Sequence, residues 1–276
     1  MPNKNDEIYK WLNEQGYPLE MLVERYFREA GATVSQSAYY QDVETEKPRE
    51  IDLIARWFKE IEKDNNVIEC KLSLYIECKS QQDKPWIIFS SGMQKRNLPT
   101  FRKPPSTRSG NSLLSRVFFT SINKLPELFA MQQSMGHGIT QAFTSKFDVP
   151  FQAVMSAAKA AIAEKINVEK YNEEYSDDGH YDVSLGATIA IPIIITDANL
   201  FECYLNQNSS PVLNNITSGC LEWKYPFESR FRSEPIPVYI YNKDAIHKLL
   251  TDIAELEKLL FASLPIILEE EIARKK

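Results

Sequence analysis

Apolar side chains recur along this chain at two periods, and the switches between them divide it into elements. Leu19, Leu22, Val23, Tyr26 and Phe27 follow the spacing of a helix with one buried face. Pro18 suits the first turn of that helix, and Gly31 supplies the left-handed residue that ends it. From Ala32 to about Val43 the sequence is strand-prone, with Thr33, Val34, Tyr39 and Tyr40. Two loosely alternating runs follow, Glu50 to Glu60 and Val67 to Lys79, separated by the turn-forming Lys63-Asp-Asn-Asn66. They predict a long β-hairpin.

Residues 84–148 show no sustained period. They are rich in Pro, Ser, Arg and Lys, with short apolar pieces at Trp86 to Phe89 and Val117 to Phe119. From Pro150 to about Lys170 a helix is predicted, its period carried by Val154, Ala157, Ala158, Ala161, Ile162 and Lys165. Small residues of this kind allow close packing on a sheet. Ala187 to Ile195 and Leu200 to Leu205 read as buried strands joined at Asp197-Ala-Asn. Val238 to Tyr241 reads as a strand, and Ala245 to Phe261 as a helix with Ile246, Leu249, Leu250, Ile253, Leu256 and Leu260 inside. The order is α-β-β-β, insertion, α-β-β, strand, α. Acidic Tyr171 to Asp178 reads as a solvated linker, and Glu269 to Lys276 as a solvated helical tail.

Composition narrows the function classes. The 276 residues are 43% hydrophobic and 25% charged, which excludes disordered, collagen-like and disulfide-scaffold chains. A net charge of −6 excludes nucleic-acid binding through bulk positive charge but leaves a local basic patch open. Cys70, Cys78, Cys203 and Cys220 have no CxxC spacing, the first residues form no apolar leader, and Ala187 to Ile195 is about half a membrane span. A reduced, cytoplasmic protein with no membrane partner is the expectation.

One group of charges is hard to explain as surface. In Tyr75-Ile-Glu-Cys-Lys79, Glu77 and Lys79 share one strand face about 7 Å apart, while Ile76 and Cys78 take the other. Asp52, between Ile51 and Leu53, is a second carboxylate among apolar neighbours. If Asp52 lies opposite Glu77, the hairpin turns at Asp64-Asn65, both good turn residues. Pairing Asp52 with Glu69 of the competing Glu69-Cys-Lys71 would put the turn at Glu60-Ile61, which has no turn chemistry. Glu77 and Lys79 are therefore the favoured pair.

Two converging carboxylates repel unless a cation sits between them. A divalent ion satisfies both, and oxygen donors suit Mg²⁺ or Mn²⁺ rather than zinc. Such an ion keeps waters, one of which can attack a phosphodiester. Lys79 beside it can orient that water or stabilise developing charge. The same Glu-x-Lys spacing also occurs as a solvated face with a weak ion pair. The opposed Asp52 and the preceding helix favour the metal site.

Ile51-Asp52 followed by Ile76-Glu77-Cys78-Lys79 resembles the PD-(D/E)XK nuclease superfamily. The resemblance covers residues 18–80 through motif and order, and 150–206 through element order alone. It implies an α/β, restriction-endonuclease-like αβββαβ core. A mixed central sheet is flanked by helices, with a basic insertion after the third strand. One nuclease-like domain would span 1–276, with core about 18–80 and 150–206, insertion about 84–148, and a C-terminal strand and helix about 236–270. By the same resemblance Asp52 and Glu77 hold metal, Lys79 serves catalysis, and the Cys78 backbone carbonyl is a further ligand. A glutamate on the first helix completes the shell. Glu20, eleven residues before Gly31, takes that role, with Glu24 as the alternative. The proline of the family name is absent, since Glu50 and Ile51 precede Asp52.

Residues 84–126 contain no Asp or Glu but hold Lys84, Lys95, Arg96, Arg102, Lys103, Arg108, Arg116 and Lys124. Lys95, Arg96, Arg102, Lys103 and Arg108 are the candidate phosphate contacts, and Trp86, Phe89 and Phe101 candidate stacking residues. An exposed solubilising loop is the equal alternative. Arg25, Arg28 and Arg56 are further candidates for the rim. His137, His180 and His247 lack metal-ligand spacing, and there is no Walker A motif. The expected function is a Mg²⁺- or Mn²⁺-dependent endonuclease acting on nucleic acid, DNA foremost, and double-strand cutting would favour a homodimer. The alternatives are an inactive nucleic-acid- or protein-binding module of the same fold, and an RNA-directed nuclease.

Overall fold

The computed structural model describes residues 3–80, 83–92, 103–126, 135–144, 148–175, 183–224 and 235–275. Among them, one mixed sheet of ten strands organises five α-helices. The first two helices are α1 (Lys4–Gln15) and α2 (Tyr17–Glu29), joined at the left-handed Gly16. Then come β1 (Thr33–Gln41), β2 (Pro48–Lys63) and β3 (Asn66–Lys79), an antiparallel meander. β4 (Trp86–Ser90), α3 (Arg108–Ser121) and β5 (Gly136–Gln141) precede α4 (Val149–Tyr175). The remainder is β6 (Val183–Thr196), β7 (Leu200–Leu205), β8 (Pro211–Ile216), β9 (Ser218–Trp223), β10 (Ile236–Asn242) and α5 (Ile246–Lys275). The strand order is β1-β2-β3-β6-β10-β9-β5-β4-β7-β8, with β6 parallel to both β3 and β10.

Both faces are covered. α2, α3 and α5 bury their apolar stripes on one side, through Val23, Phe27, Leu114, Leu249 and Leu256 among others. Among the described residues α4 is the one helix on the other, and its Ala153, Ala157, Ala158, Ala160 and Ala161 are fully buried. Alanines bring its backbone close to the sheet, so even a short side chain on this helix reaches the strands below. β6, covered on both faces and flanked by parallel neighbours, is the near-continuous apolar run that such burial demands.

The hairpin closes as the turn residues predict. Lys63 pairs with Asn66, and Asp64 and Asn65 both take left-handed φ values of 48° and 58°, the two-residue turn that matches strand twist. The ladder runs without a shift to Leu53 opposite Ile76, so Asp52 falls next to Glu77 in register.

Three features differ from the sequence expectation. The 84–148 stretch is not simply a loop: β4 and β5 enter the sheet, and α3 packs on β6. Their apolar positions, such as Trp86 with Ile88 and Leu113 with Val117, come in runs too short to show a period. α1, β8 and β9 were not anticipated, because α1 and β8 are largely exposed and carry weak apolar patterns. α4 runs on to Tyr175, through part of the stretch expected as a linker, and α5 continues past Phe261 because Leu264 and Leu268 extend its buried stripe.

Candidate metal centre

The site lies at the C-terminal end of β3, beside the first residues of β2. Glu77 sits on the α4 side of β3, as does Tyr75, while Ile76 and Cys78 pack into the opposite core. Asp52 departs from simple alternation. Its neighbours Ile51 and Leu53, two apart, enter opposite cores, and facing them on β1 is the left-handed Ser37. The backbone turns about Asp52, whose carboxylate takes over as acceptor beyond the last ladder pair. Asp52 Oδ2 accepts the Cys78 N–H at 2.7 Å. This charge-assisted bond fixes one carboxylate directly on the strand that carries the other.

Lys79 Nζ is the hub. It donates to Glu77 Oε1 at 2.6 Å and to the Cys78 carbonyl at 3.1 Å, and stands 3.6 Å from Asp52 Oδ2. Three oxygens of different residues thus face one cationic atom. Burial works against the Lys79 charge, but Glu77 and Asp52 outweigh it and raise its pKa, so the ammonium stays protonated. Glu77 moves the same way for a different reason. It is 8% exposed, and burial lifts its pKa despite the stabilising lysine.

Glu20, in the first turn of α2, belongs electrostatically to this group. Its pKa is pushed up to about 7, first by burial, then by Asp52, with Glu50 and Glu77 adding and Lys79 opposing. Glu24, one turn on, is instead paired with Arg28, whose guanidinium also reaches the Val34 carbonyl. The structure therefore groups Glu20 and not Glu24 with the strand carboxylates.

Residues distant in sequence complete the arrangement. Ser156 on α4 donates its hydroxyl to Glu77 Oε2 at 2.9 Å. Tyr40 hydroxyl contacts the Ser156 carbonyl at 3.5 Å, and burial pushes its pKa up to about 12. The end of β3 is tied to β6, where Thr196 Oγ1 donates to the Lys79 carbonyl at 2.7 Å and Ser80 Oγ to Asp197 Oδ2 at 2.7 Å. Sequence reasoning missed Ser156. The available signal was a hydroxyl at i+3 from Ala153 and i−4 from Ala160, on a helix face otherwise buried and apolar.

The expected phosphate contacts separate. Lys95, Arg96, Arg102 and Phe101 lie outside the described residues. Arg108 is exposed at the start of α3, while Lys103 donates to Ser115 and Arg116 is paired with Glu270. Trp86 is fully buried in the core beneath α4, which removes it as a stacking residue. Of the rim arginines, Arg28 is committed to Glu24, and Arg56 interacts with Ser35 and Tyr75.

Comparisons with known proteins assign no family. No family model matches the chain, and no curated protein or solved structure matches it. The chemistry must be argued from the residues themselves.

The donor set meets the requirements of a hard cation: two carboxylates and a carbonyl, all oxygen, already facing one positive atom. No group of three or more His, Cys, Asp or Glu side chains stands ready-made around one point among the described residues. Mg²⁺ does not require such a cage, since it is commonly held through one or two carboxylates with water and substrate phosphate. A separate cleft of about 440 Å³, lined by Glu202, Asn214, Asn215 and Lys248 among others, includes no member of this constellation.

Proposed function

We propose that this protein is a metal-dependent phosphodiesterase that hydrolyses nucleic acid, DNA foremost, on a restriction-endonuclease-like core. The carrying observation is Lys79 Nζ held among Glu77, Asp52 and the Cys78 carbonyl at the end of β3. The chain order supports it: the helix α2, a three-stranded antiparallel meander and, once β4, α3 and β5 are set aside as the insertion, α4 leading into β6 parallel to β3. That is the order the nuclease resemblance implies.

Asp52, Glu77 and the Cys78 carbonyl would hold Mg²⁺ or Mn²⁺, which when bound supplies charge neutralisation and an acidified water. The chain's own residues set the rest. Cys78 N–H and Ser156 Oγ orient the two carboxylates from outside, so neither has to reorganise on binding. Lys79, kept protonated by its neighbours, acts as a donor rather than a base. It can orient the attacking water or bond a phosphate oxygen as negative charge builds on it. Glu20 completes the shell directly or through water.

The test is cleavage by wild type and Lys79→Ala of plasmid, linear and single-stranded DNA, and of RNA, with Mg²⁺ or Mn²⁺. Activity in wild type and its loss in the variant is expected. Equal activity, or none on any substrate, would reject the nuclease reading, and the same cluster would then stand as a structural ion-pair network in a binding module.

A further inference from the structure

β1 and β2 bring two further side chains to the α4 side of the sheet, beside Glu77. Tyr40 and Arg49 are direct partners in the ladder, so both project to the same face. The Tyr40 ring packs against the core beneath α4, and Ile51, two residues beyond Arg49, is buried in that core. Glu50, between them, takes the opposite side, where its charge acts on Glu20.

Contacts carry Tyr40 to the site. Its hydroxyl stands 3.5 Å from the carbonyl of Ser156, the residue whose side chain donates to Glu77 Oε2, and the Glu77 charge acts on the phenol. Lys79 holds the other oxygen of that carboxylate. Glu77 thus has Lys79 at one oxygen, and Ser156 with Tyr40 behind it at the other.

Both new groups keep donors open. At 3.5 Å the Tyr40–Ser156 contact is at the outer limit for a hydroxyl donor. Burial, which pushes the phenol up to about 12, keeps its proton on the oxygen. The Arg49 side chain is 54% exposed. Among the described residues its guanidinium makes no hydrogen bond, and its ion pair, Nε to Asp42 Oδ2, is 3.9 Å long. Asp42 is already served by Lys159 and by the N–H groups of Glu44 and Thr45. It steadies the arginine from behind without occupying it. An open guanidinium fork beside a protonated phenol suits a phosphate, since the fork takes two oxygens and the hydroxyl a third.

We infer that Arg49 and Tyr40 form a phosphate clamp on the α4 side of the candidate metal centre, gripping the DNA phosphate next to the one that is cut. The inference rests on the nuclease reading and adds a path for the strand, from Lys79 past Glu77 towards β1. The clamp touches no metal, so it serves binding of the DNA rather than activation of the water.

The test is the salt dependence of DNA engagement. The half-saturating protein concentration in single-turnover cleavage with Mn²⁺ is measured between about 50 and 200 mM KCl, on a fluorescent oligonucleotide of the DNA form that wild type cuts. Arg49→Met should raise it about tenfold and reduce the steepness of its salt dependence, on logarithmic axes, by about one, the signature of one lost phosphate contact. Tyr40→Phe should raise it about fivefold with the salt slope unchanged, because a neutral donor releases no counterion. Arg49→Lys, which keeps the charge but not the fork, should restore the slope and only part of the affinity. Mn²⁺ should raise the melting temperature of all three variants as it does that of wild type, since none of these residues holds the metal. An arginine that merely braced Asp42 would leave the slope at its wild-type value. That result, or wild-type affinity in Tyr40→Phe, would overturn the clamp while leaving the nuclease reading intact. Absence of Mn²⁺-dependent cleavage by wild type would instead remove the nuclease reading and the clamp with it.

Discussion

Ser156 Oγ donates to Glu77 Oε2 at 2.9 Å, while the other oxygen of that carboxylate receives Lys79 Nζ at 2.6 Å. Each oxygen of a buried acid thus has its own donor, one neutral and one charged, from opposite directions. The helix partner sets the orientation of the carboxylate, and the strand partner balances its charge.

From this follows the effect of Ser156→Ala. The hydroxyl is committed to Glu77, so its loss should lower kcat about tenfold through a misoriented carboxylate and leave KM for DNA within about twofold. The Mn²⁺ concentration for half-maximal activity should rise by a similar factor. Ser156→Thr, which keeps the hydroxyl, should restore both.

The strand residues should behave differently. Asp52→Asn, Glu77→Gln and Lys79→Ala should each reduce cleavage by at least about a hundredfold. Thermal unfolding separates their roles. Mn²⁺ should raise the melting temperature of wild type and of Lys79→Ala, but not that of Asp52→Asn.

Glu20 makes the metal-free protein sensitive to pH. Its folded pKa of about 7 lies above the ordinary 4.5, so the folded state binds this proton more tightly than the unfolded chain. The stabilising contribution is complete below about pH 4.5 and lost as pH rises towards 7. Glu77, also raised, adds with the same sign. In EDTA, the stability of wild type relative to Glu20→Gln should therefore fall by on the order of 1 kcal/mol between pH 4.5 and 7.5, the size reduced by solvent screening at this half-open site. Urea denaturation at several pH values measures it, and a rise in the difference would contradict the assignment.

Gly110 should tolerate no side chain. A Cβ there would lie 2.4 Å from the Thr188 carbonyl oxygen, which belongs to β6 backbone. The segment is held tightly, since Thr107 Oγ1 caps Gly110 N and accepts from Thr188 N. Gly110→Ala should cost about 2 kcal/mol by forcing α3 off the sheet, read by chemical denaturation.

Lys159 on α4 bridges Asp42 at 3.1 Å and Glu44 at 2.7 Å, at the turn between β1 and β2. Lys159→Met leaves two largely buried carboxylates facing each other and should destabilise the fold by about 2 kcal/mol. Adding Asp42→Asn and Glu44→Gln should recover part of that loss.

The meander and much of the site could be read from the chain because the signals are local. Period-two alternation and the Asp64-Asn65 turn set the register, and the register brings Asp52 to Glu77. Glu77 and Lys79 share a face through strand geometry alone. α2 and α4 announced themselves through long stripes with clear periods. By contrast, short strands such as β8 and β9 carry too few residues for any period, and Asp52 leaves regular alternation at a kink no local pattern records.

What the sequence determined by itself is therefore the hairpin, its register and the spacing of the three charged residues, all consequences of backbone geometry over a few positions. Only the tertiary structure decided which further groups meet them. Ser156 reaches Glu77 across 79 positions of chain because an alanine-lined helix settles close to the sheet, and the charges of Asp52 and Lys79 act on Glu20 while Glu24 is paired with Arg28. Such meetings depend on how whole elements pack, and packing is a property of surfaces that no short stretch of sequence contains.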